Sequence, residues 1–264
     1  MILRTLGYIG TPFIKLYSNI DKFGEFILFQ IHLLALYPFA FKRFRLILTQ
    51  IEIIGLGTMG VVSLTAIFTG MVEAIQLYNG FHQFGVENFI GFTVFLSITR
   101  ELGPVFASLM LISRSISAMA AELGTMRVTE QIDAIEILGV DSKEYLIIPR
   151  IIATTISLPL LVIWFDFVAI GSSYVISVNV LGINPNSYQE AIMKFGELSD
   201  ITTGVIKAAF FGFIVSSIGS YIGYNTRGGA RGVGLSTIAA VVYSAVAIFI
   251  ANYFLSALFL YIGY

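Results

Sequence analysis

Four ionisable side chains sit inside long apolar stretches of the chain: Arg100, Glu101, Asp166 and Lys207. On insertion scales a charge at the bilayer centre costs about 3 kcal/mol, so each of these needs a partner or a polar cavity. Such groups can close ion pairs across a helix bundle, or pass protons along a relay. Arg100 and Glu101 fall about 11 residues into their apolar stretch, near its middle. Adjacent residues on a helix point about 100° apart, so the two do not simply neutralise one another, and each requires a partner on another helix. Lys207 is a candidate partner for Glu101 or for Asp166. Pro104 has no N–H for the carbonyl of Arg100, so the helix should bend or loosen at the charged pair. These residues fit a structural ion pair, or a polar element facing a cavity or a moving interface.

Little else in the chain could do bond chemistry. There is no cysteine, which excludes disulfides, iron–sulfur clusters and thiol nucleophiles, and His32 and His82 lie too far apart in sequence to suggest a metal site. Gly55-Leu56-Gly57-Thr58-Met59-Gly60 matches the dinucleotide fingerprint in letters. That motif needs a preceding strand and a phosphate-facing loop, whereas these glycines open an apolar helix and read as close helix packing. No GxxxxGK[ST] occurs, so the chain does not hydrolyse nucleotide by a P-loop of its own. A net charge of -1 gives no electrostatic case for nucleic acid. No cofactor is expected in this chain.

The elements that must position these charges are membrane spans. Of 264 residues, 57% are hydrophobic and 12% charged, half the share of charge in an ordinary soluble domain. Windows of the roughly 20 apolar residues needed to cross ~30 Å of hydrocarbon predict five spans, near Ile53–Leu77, Phe89–Ser113, Leu146–Val178, Ile201–Tyr224 and Leu235–Ile262. A shorter window, Phe26–Phe41, ends around Pro38 and is flanked by Lys15 and Lys22 before and Lys42, Arg43 and Arg45 after; it reads as an interfacial or re-entrant helix. No convincing signal peptide precedes it, so the mature chain is expected to keep its N-terminus. The expected fold is an all-α membrane protein, with residues 1–47 as an N-terminal interfacial segment and 48–264 as the transmembrane domain.

Orientation follows from basic residues. Lys42, Arg43 and Arg45, then Arg114, Arg127, Lys143 and Arg150, then Arg227 and Arg231 mark the cytoplasmic ends. The intervening loops hold only Lys194 against Glu87, Glu190, Glu197 and Asp200. Five crossings then put the C-terminus outside.

Between the second and third spans, Glu122–Glu144 carries six acidic residues against two basic ones. Val128, Ile132, Ile135 and Gly139 share one helical face, and Glu130, Asp133 and Glu136 share another. Thr129 is placed to cap this helix and Gly139 to end it. A helix of about ten residues is unstable alone and must lean on something. Anionic cytoplasmic lipid repels an acidic face, so a protein partner is the better expectation. The first span and the loop after it hold Met71, Ile75, Tyr78, Phe81 and Phe84, which suit either an adaptable wall for an acyl chain or an ordinary bundle core.

Several blocks, in order, carry a resemblance: Arg100-Glu101-Leu102-Gly103-Pro104-Val105, the run from Ala121 to Ala134, Leu138-Gly139-Val140-Asp141, and Pro149-Arg150. Together they resemble the signature of MlaE-type permeases, the membrane subunits of lipid-transporting ABC systems that work with MCE proteins. The resemblance runs from about Leu48 onward. It implies a homodimer in the cell inner membrane, bound to cytoplasmic ATPase subunits that hold the ATP and Mg, and to a periplasmic MCE-domain ring. Phospholipid would be the cargo, moved between the inner and outer membranes.

By the same resemblance, residues 125–139 are similar to the coupling helix seated on the ATPase, with Arg127, Glu130, Ile132, Asp133, Ile135 and Glu136 as docking residues. Glu101 and Lys207 match the family's buried charged pair near a lipid cavity, which Met71, Ile75, Tyr78, Phe81 and Phe84 would help to line. Asp166 and Glu73 stand where apolar residues are more usual. The competing classes are an ion-coupled secondary transporter, using Arg100, Glu101, Asp166 and Lys207 as a relay, and an intramembrane enzyme, for which no catalytic spacing is visible.

Overall fold

In hydrocarbon an open chain must satisfy its own backbone, which leaves the helix as the form for apolar runs of this length. The computed structural model describes residue 21 and residues 24–37 and 43–263, with no strand among them. The helices in order are α1 (Gly24–Leu36), α2 (Phe44–Phe84), α3 (Glu87–Val128), α4 (Gln131–Ile137), α5 (Lys143–Asn179), α6 (Pro185–Phe195), α7 (Leu198–Tyr224) and α8 (Gly229–Ile262). Five of them, α2, α3, α5, α7 and α8, are long and apolar enough to cross a membrane, so the chain is an all-α membrane protein. The helices overrun the apolar windows because a polar helix end still satisfies its own backbone once nucleated. α3 in particular continues to Val128, through the first residues of the charged stretch.

The described part of α1 has 13 residues and at 1.5 Å each spans ~20 Å, less than the hydrocarbon thickness of a bilayer. Its inner edge, Phe29 and Leu33, is buried, and Phe26 and Phe29 meet Tyr221 edge-on at 5.2 and 5.3 Å between ring centroids. It therefore lies against the C-terminal end of α7. Lys15, Lys22, Pro38 and Lys42 fall outside the described residues.

α5 is the central helix, packed against α2, α3 and α7. Small residues permit the close crossings. A Cβ on Gly70 of α2 would overlap the carbonyl of Ala169, and one on Gly212 of α7 would stand 2.8 Å from the carbonyl of Thr154. The Gly219/Gly223 pair of α7 faces α3, where added Cβ atoms would meet Ile116 Cγ2 at 2.5 Å and the Ala120 carbonyl at 2.9 Å. In the fingerprint-like run of α2, Gly55 and Gly57 lie against Ser157 and Arg114, while Gly60 has open space around it. Gly55 and Gly57 thus act in helix packing, and Gly60 does not.

Buried hydroxyls turn back onto their own helices: Thr58, Thr99, Ser108, Thr154 and Ser216 each donate to the carbonyl four residues earlier. α2 and α8 keep most of their apolar side chains exposed, the inverse of a soluble bundle, as expected where the surroundings are lipid or a second chain.

Candidate functional site

The helix loosens where Pro104 requires it. Ile98–Leu102 forms a wide π-type turn directly before Pro104. Gly204 of α7 comes so close that a Cβ there would overlap the carbonyl of Thr99. One turn further along α7, Lys207 reaches into the gap. Its ammonium donates to the Arg100 carbonyl (2.9 Å), Glu101 Oε1 (2.8 Å) and Ser256 Oγ of α8 (2.8 Å), which uses all three of its protons. Ser256 in turn donates to Glu101 Oε1 (2.9 Å), and Asn252 Nδ2, one turn earlier on α8, donates to Glu101 Oε2 (2.9 Å). The pair is asymmetric: the Lys207 side chain is 1% exposed and that of Glu101 44%, so the ammonium is sealed while the carboxylate opens to the outside of this chain.

The remaining intramembrane charges go elsewhere. Arg100 pairs with Asp200, a residue assigned above to a loop, which is buried in the first turn of α7 and also accepts from the Glu197 backbone N–H (2.9 Å) as part of a capping box. Arg100 thus belongs to an end of α7, not to the middle of the bundle. Asp166 does not contact Lys207. It is buried on α5 against Gly103, where a Cβ would collide with its carboxylate, and its Oδ1 has no hydrogen-bond partner among the described residues. Among the described residues Glu101 and Lys207 pair with each other, Arg100 pairs with Asp200 and Asp166 pairs with none of these, so the four charges form no continuous relay. Asn252 and Ser256 were missed in the sequence; two polar residues four apart on an apolar span were the available signal.

A second wide turn shows the same device. Arg114 lies in the π-type turn Ile112–Ile116 and donates to the carbonyl of Ile53 (3.3 Å), within the π-type turn Glu52–Leu56.

The charged stretch is shorter and differently used than expected. Residues 125–128 belong to α3, the chain turns at Glu130 (φ 60°), and α4 covers only Gln131–Ile137. Thr129 does not cap it; its hydroxyl donates to the Thr125 carbonyl (2.8 Å) and so finishes α3. Gly139 ends α4 with φ 77°, a left-handed turn open to glycine.

Ile132 is fully buried and Ile135 packs on the core. The acidic face is largely occupied from within. Arg127 holds Asp133 at 2.6 Å, while Glu136 accepts from Ser142 Oγ (2.6 Å) and Tyr224 OH (3.0 Å). Those two hydrogen bonds hold the Glu136 carboxyl below its ordinary range. Ser142 and Tyr224 also meet each other at 2.9 Å, so one triangle ties α4 to the start of α5 and the end of α7. Arg43 with Glu144 (3.0 Å) and the buried Arg150 with Glu122 (2.9 Å) complete this end of the bundle. Glu130, Ile137 and Leu138 point outward; Ile137 is 85% exposed and Leu138 80%.

The Met and aromatic residues of α2 do not line one cavity. Tyr78 and Phe81 pack on the core, Ile75 and Phe84 are exposed, and Met71 is half-buried. The groove between α2 and α3, about 370 Å³, is lined instead by Phe68, Thr69, Val72, Glu73 and Gln76 of α2 with Leu102 and Phe106 of α3.

Known sequences match the chain over most of its length. The family model described as Permease MlaE matches residues 47–258. A protein of Rickettsia bellii named as a probable ABC transporter permease is 42% identical over 259 residues, 98% of this chain and 99% of that one. A chloroplastic protein of Arabidopsis thaliana, TRIGALACTOSYLDIACYLGLYCEROL 1, is 42% identical over 217 residues, 82% of this chain and 62% of that one. The intermembrane phospholipid transport system permease protein MlaE of Haemophilus influenzae is 31% identical over 259 residues, 98% of each chain. With the family's model covering both the wide turn that holds Lys207 and the short helix between spans, the chain belongs to the MlaE permease family.

Proposed function

We propose that this chain is the membrane subunit of an ABC transporter that moves phospholipid between the inner and outer membranes, working as a homodimer with a separate cytoplasmic ATPase and a periplasmic MCE-domain protein. ATP and Mg reside on the ATPase, and the chain itself makes and breaks no bonds. The basic ends that carry α4 are cytoplasmic and the C-terminus is periplasmic. Two copies enclose a cavity bordered by α2 and parts of α3 and α8, with the open carboxylate of Glu101 at its wall. Closure of the ATPases pushes on α4 and narrows that cavity.

The observation that supports this most is the build of α4. A seven-residue helix is not stable alone, yet it is pinned to the bundle by Ile132, by Arg127 with Asp133, and by the Glu136–Ser142–Tyr224 triangle, while two large apolar side chains stand free at its tip. A rigid mount with an exposed apolar tip is what a groove in a partner can grip. The test is co-purification of the ATPase. Ile137→Asp with Leu138→Asp should lose the ATPase while the permease stays inserted and folded; Glu130→Lys should weaken the contact less. Normal ATPase yield with the double aspartate variant refutes the docking role of α4.

A further inference from the structure

Glu73 is the one acidic residue of the α2–α3 groove, and the charge contacts described above do not reach it. It is half-buried, well within α2, and makes no hydrogen bond or ion pair among the described residues. Four residues separate it from the predicted end of the first apolar span at Leu77, ~6 Å along the helix. Its surroundings are apolar except on its own helix, where Thr69 lies a turn below and Gln76 a turn above. Phe68 of α2 and Phe106 of α3 line the same groove.

A carboxylate near the end of a span, in a groove open to lipid and without a partner among the described residues, is placed to take its counter-charge from a lipid headgroup. A groove that holds both a carboxylate and aromatic rings suits an ammonium ion, which is attracted by the charge and by ring faces. The Gln76 amide can both donate and accept, and so can engage phosphate or ester oxygens next to such an ammonium. The groove, about 370 Å³, is of ligand size and its remaining walls, Val72, Leu102 and Phe106, suit hydrocarbon.

We infer that Glu73 makes this groove selective for phospholipids whose headgroup carries an ammonium, such as ethanolamine lipids, over lipids with uncharged polyol headgroups. The inference rests on the lipid-transport reading and adds to it a residue that sets headgroup preference.

The experiment uses the permease purified with its partner subunits in nanodiscs of equimolar phosphatidylethanolamine and phosphatidylglycerol, followed by native mass spectrometry of the lipid that stays bound. The unaltered protein should retain the ethanolamine lipid about two- to fivefold over the glycerol lipid, the range of a partly exposed ion pair. Glu73→Gln, which keeps shape and removes charge, should bring the ratio close to one, and Glu73→Lys should reverse it. An unchanged ratio in Glu73→Gln overturns the inference while leaving lipid transport intact. A Glu73→Gln variant that alters the oligomeric state with the ratio unmoved also overturns it, because the counter-charge is then protein. Should no lipid stay bound to the unaltered protein, both this inference and the transport reading fall.

Discussion

Removing the sealed ammonium and removing its carboxylate should have unequal costs, and the geometry says which is larger. Glu101→Gln leaves Lys207, 1% exposed, with only neutral acceptors: the Arg100 carbonyl, Ser256 and the new amide. Breaking a buried pair in this way costs about 3–5 kcal/mol, because a charge stays behind without its opposite. Lys207→Met leaves a carboxylate that is 44% exposed and keeps both Ser256 and Asn252, so the loss is mainly the orphaned Arg100 carbonyl, about 1–3 kcal/mol. The double variant removes both charges and still orphans that carbonyl, so it should sit with Lys207→Met, at about 2 kcal/mol. Adding Lys207→Met to Glu101→Gln thus restores stability. The exchanged pair, Glu101→Lys with Lys207→Glu, stays defective, because an acceptor at position 207 would face the Arg100 carbonyl. Reversible unfolding in mixed detergent and lipid, followed by helical circular dichroism, reads all four. Simple additivity of the two single variants, or a Lys207→Met more costly than Glu101→Gln by over about 1 kcal/mol, refutes the asymmetry.

Three further outcomes follow from the packing and the polar end. Gly204→Ala should separate α7 from α3 at the wide turn and destabilise by about 1–3 kcal/mol, measured by the same unfolding assay, since the added Cβ overlaps the Thr99 carbonyl. Asp166→Asn should be neutral or stabilising in that assay, because it removes an ionisable group that has no ion-pair partner to lose. The depressed pKa of Glu136 means its bonds to Ser142 and Tyr224 add stability above the ordinary carboxyl value of 4.5, and this is lost as pH falls through the lowered folded value. Glu136→Gln should flatten that acid limb in a thermal unfolding series from neutral to acidic pH; an unchanged limb would assign it to other carboxylates.

The spans were legible because hydropathy over a bilayer's width is a strong signal, and Pro104 with Arg100 announced the loosened turn through a missing N–H. Lys207 was legible as a partner, but the choice between Glu101 and Asp166 was not, since α3 and α5 both flank α7 and only Gly204 decides which backbone comes close. The pairing of Arg100 with Asp200 was hidden because Asp200 reads as a loop residue until a capping box pulls it into α7. Of the three acidic residues spaced by three, Asp133 and Glu136 lie in α4, while Glu130 precedes it at a left-handed turn and is not part of its face. What the spacing could not say is that Arg127, Ser142 and Tyr224 would already occupy most of it, leaving Ile137 and Leu138 exposed.

The bond from Lys207 to the Arg100 carbonyl ties the fates of two positions distant in sequence. Pro104→Ala would restore an N–H able to satisfy that carbonyl and so relieve Lys207 of one of its three duties, whereas losing Lys207 while Pro104 stays leaves the carbonyl bare. The order of change therefore matters: a lineage can abandon the proline first and the lysine later, but the reverse route passes through a defective intermediate. That dependence on order rests on a single 2.9 Å contact.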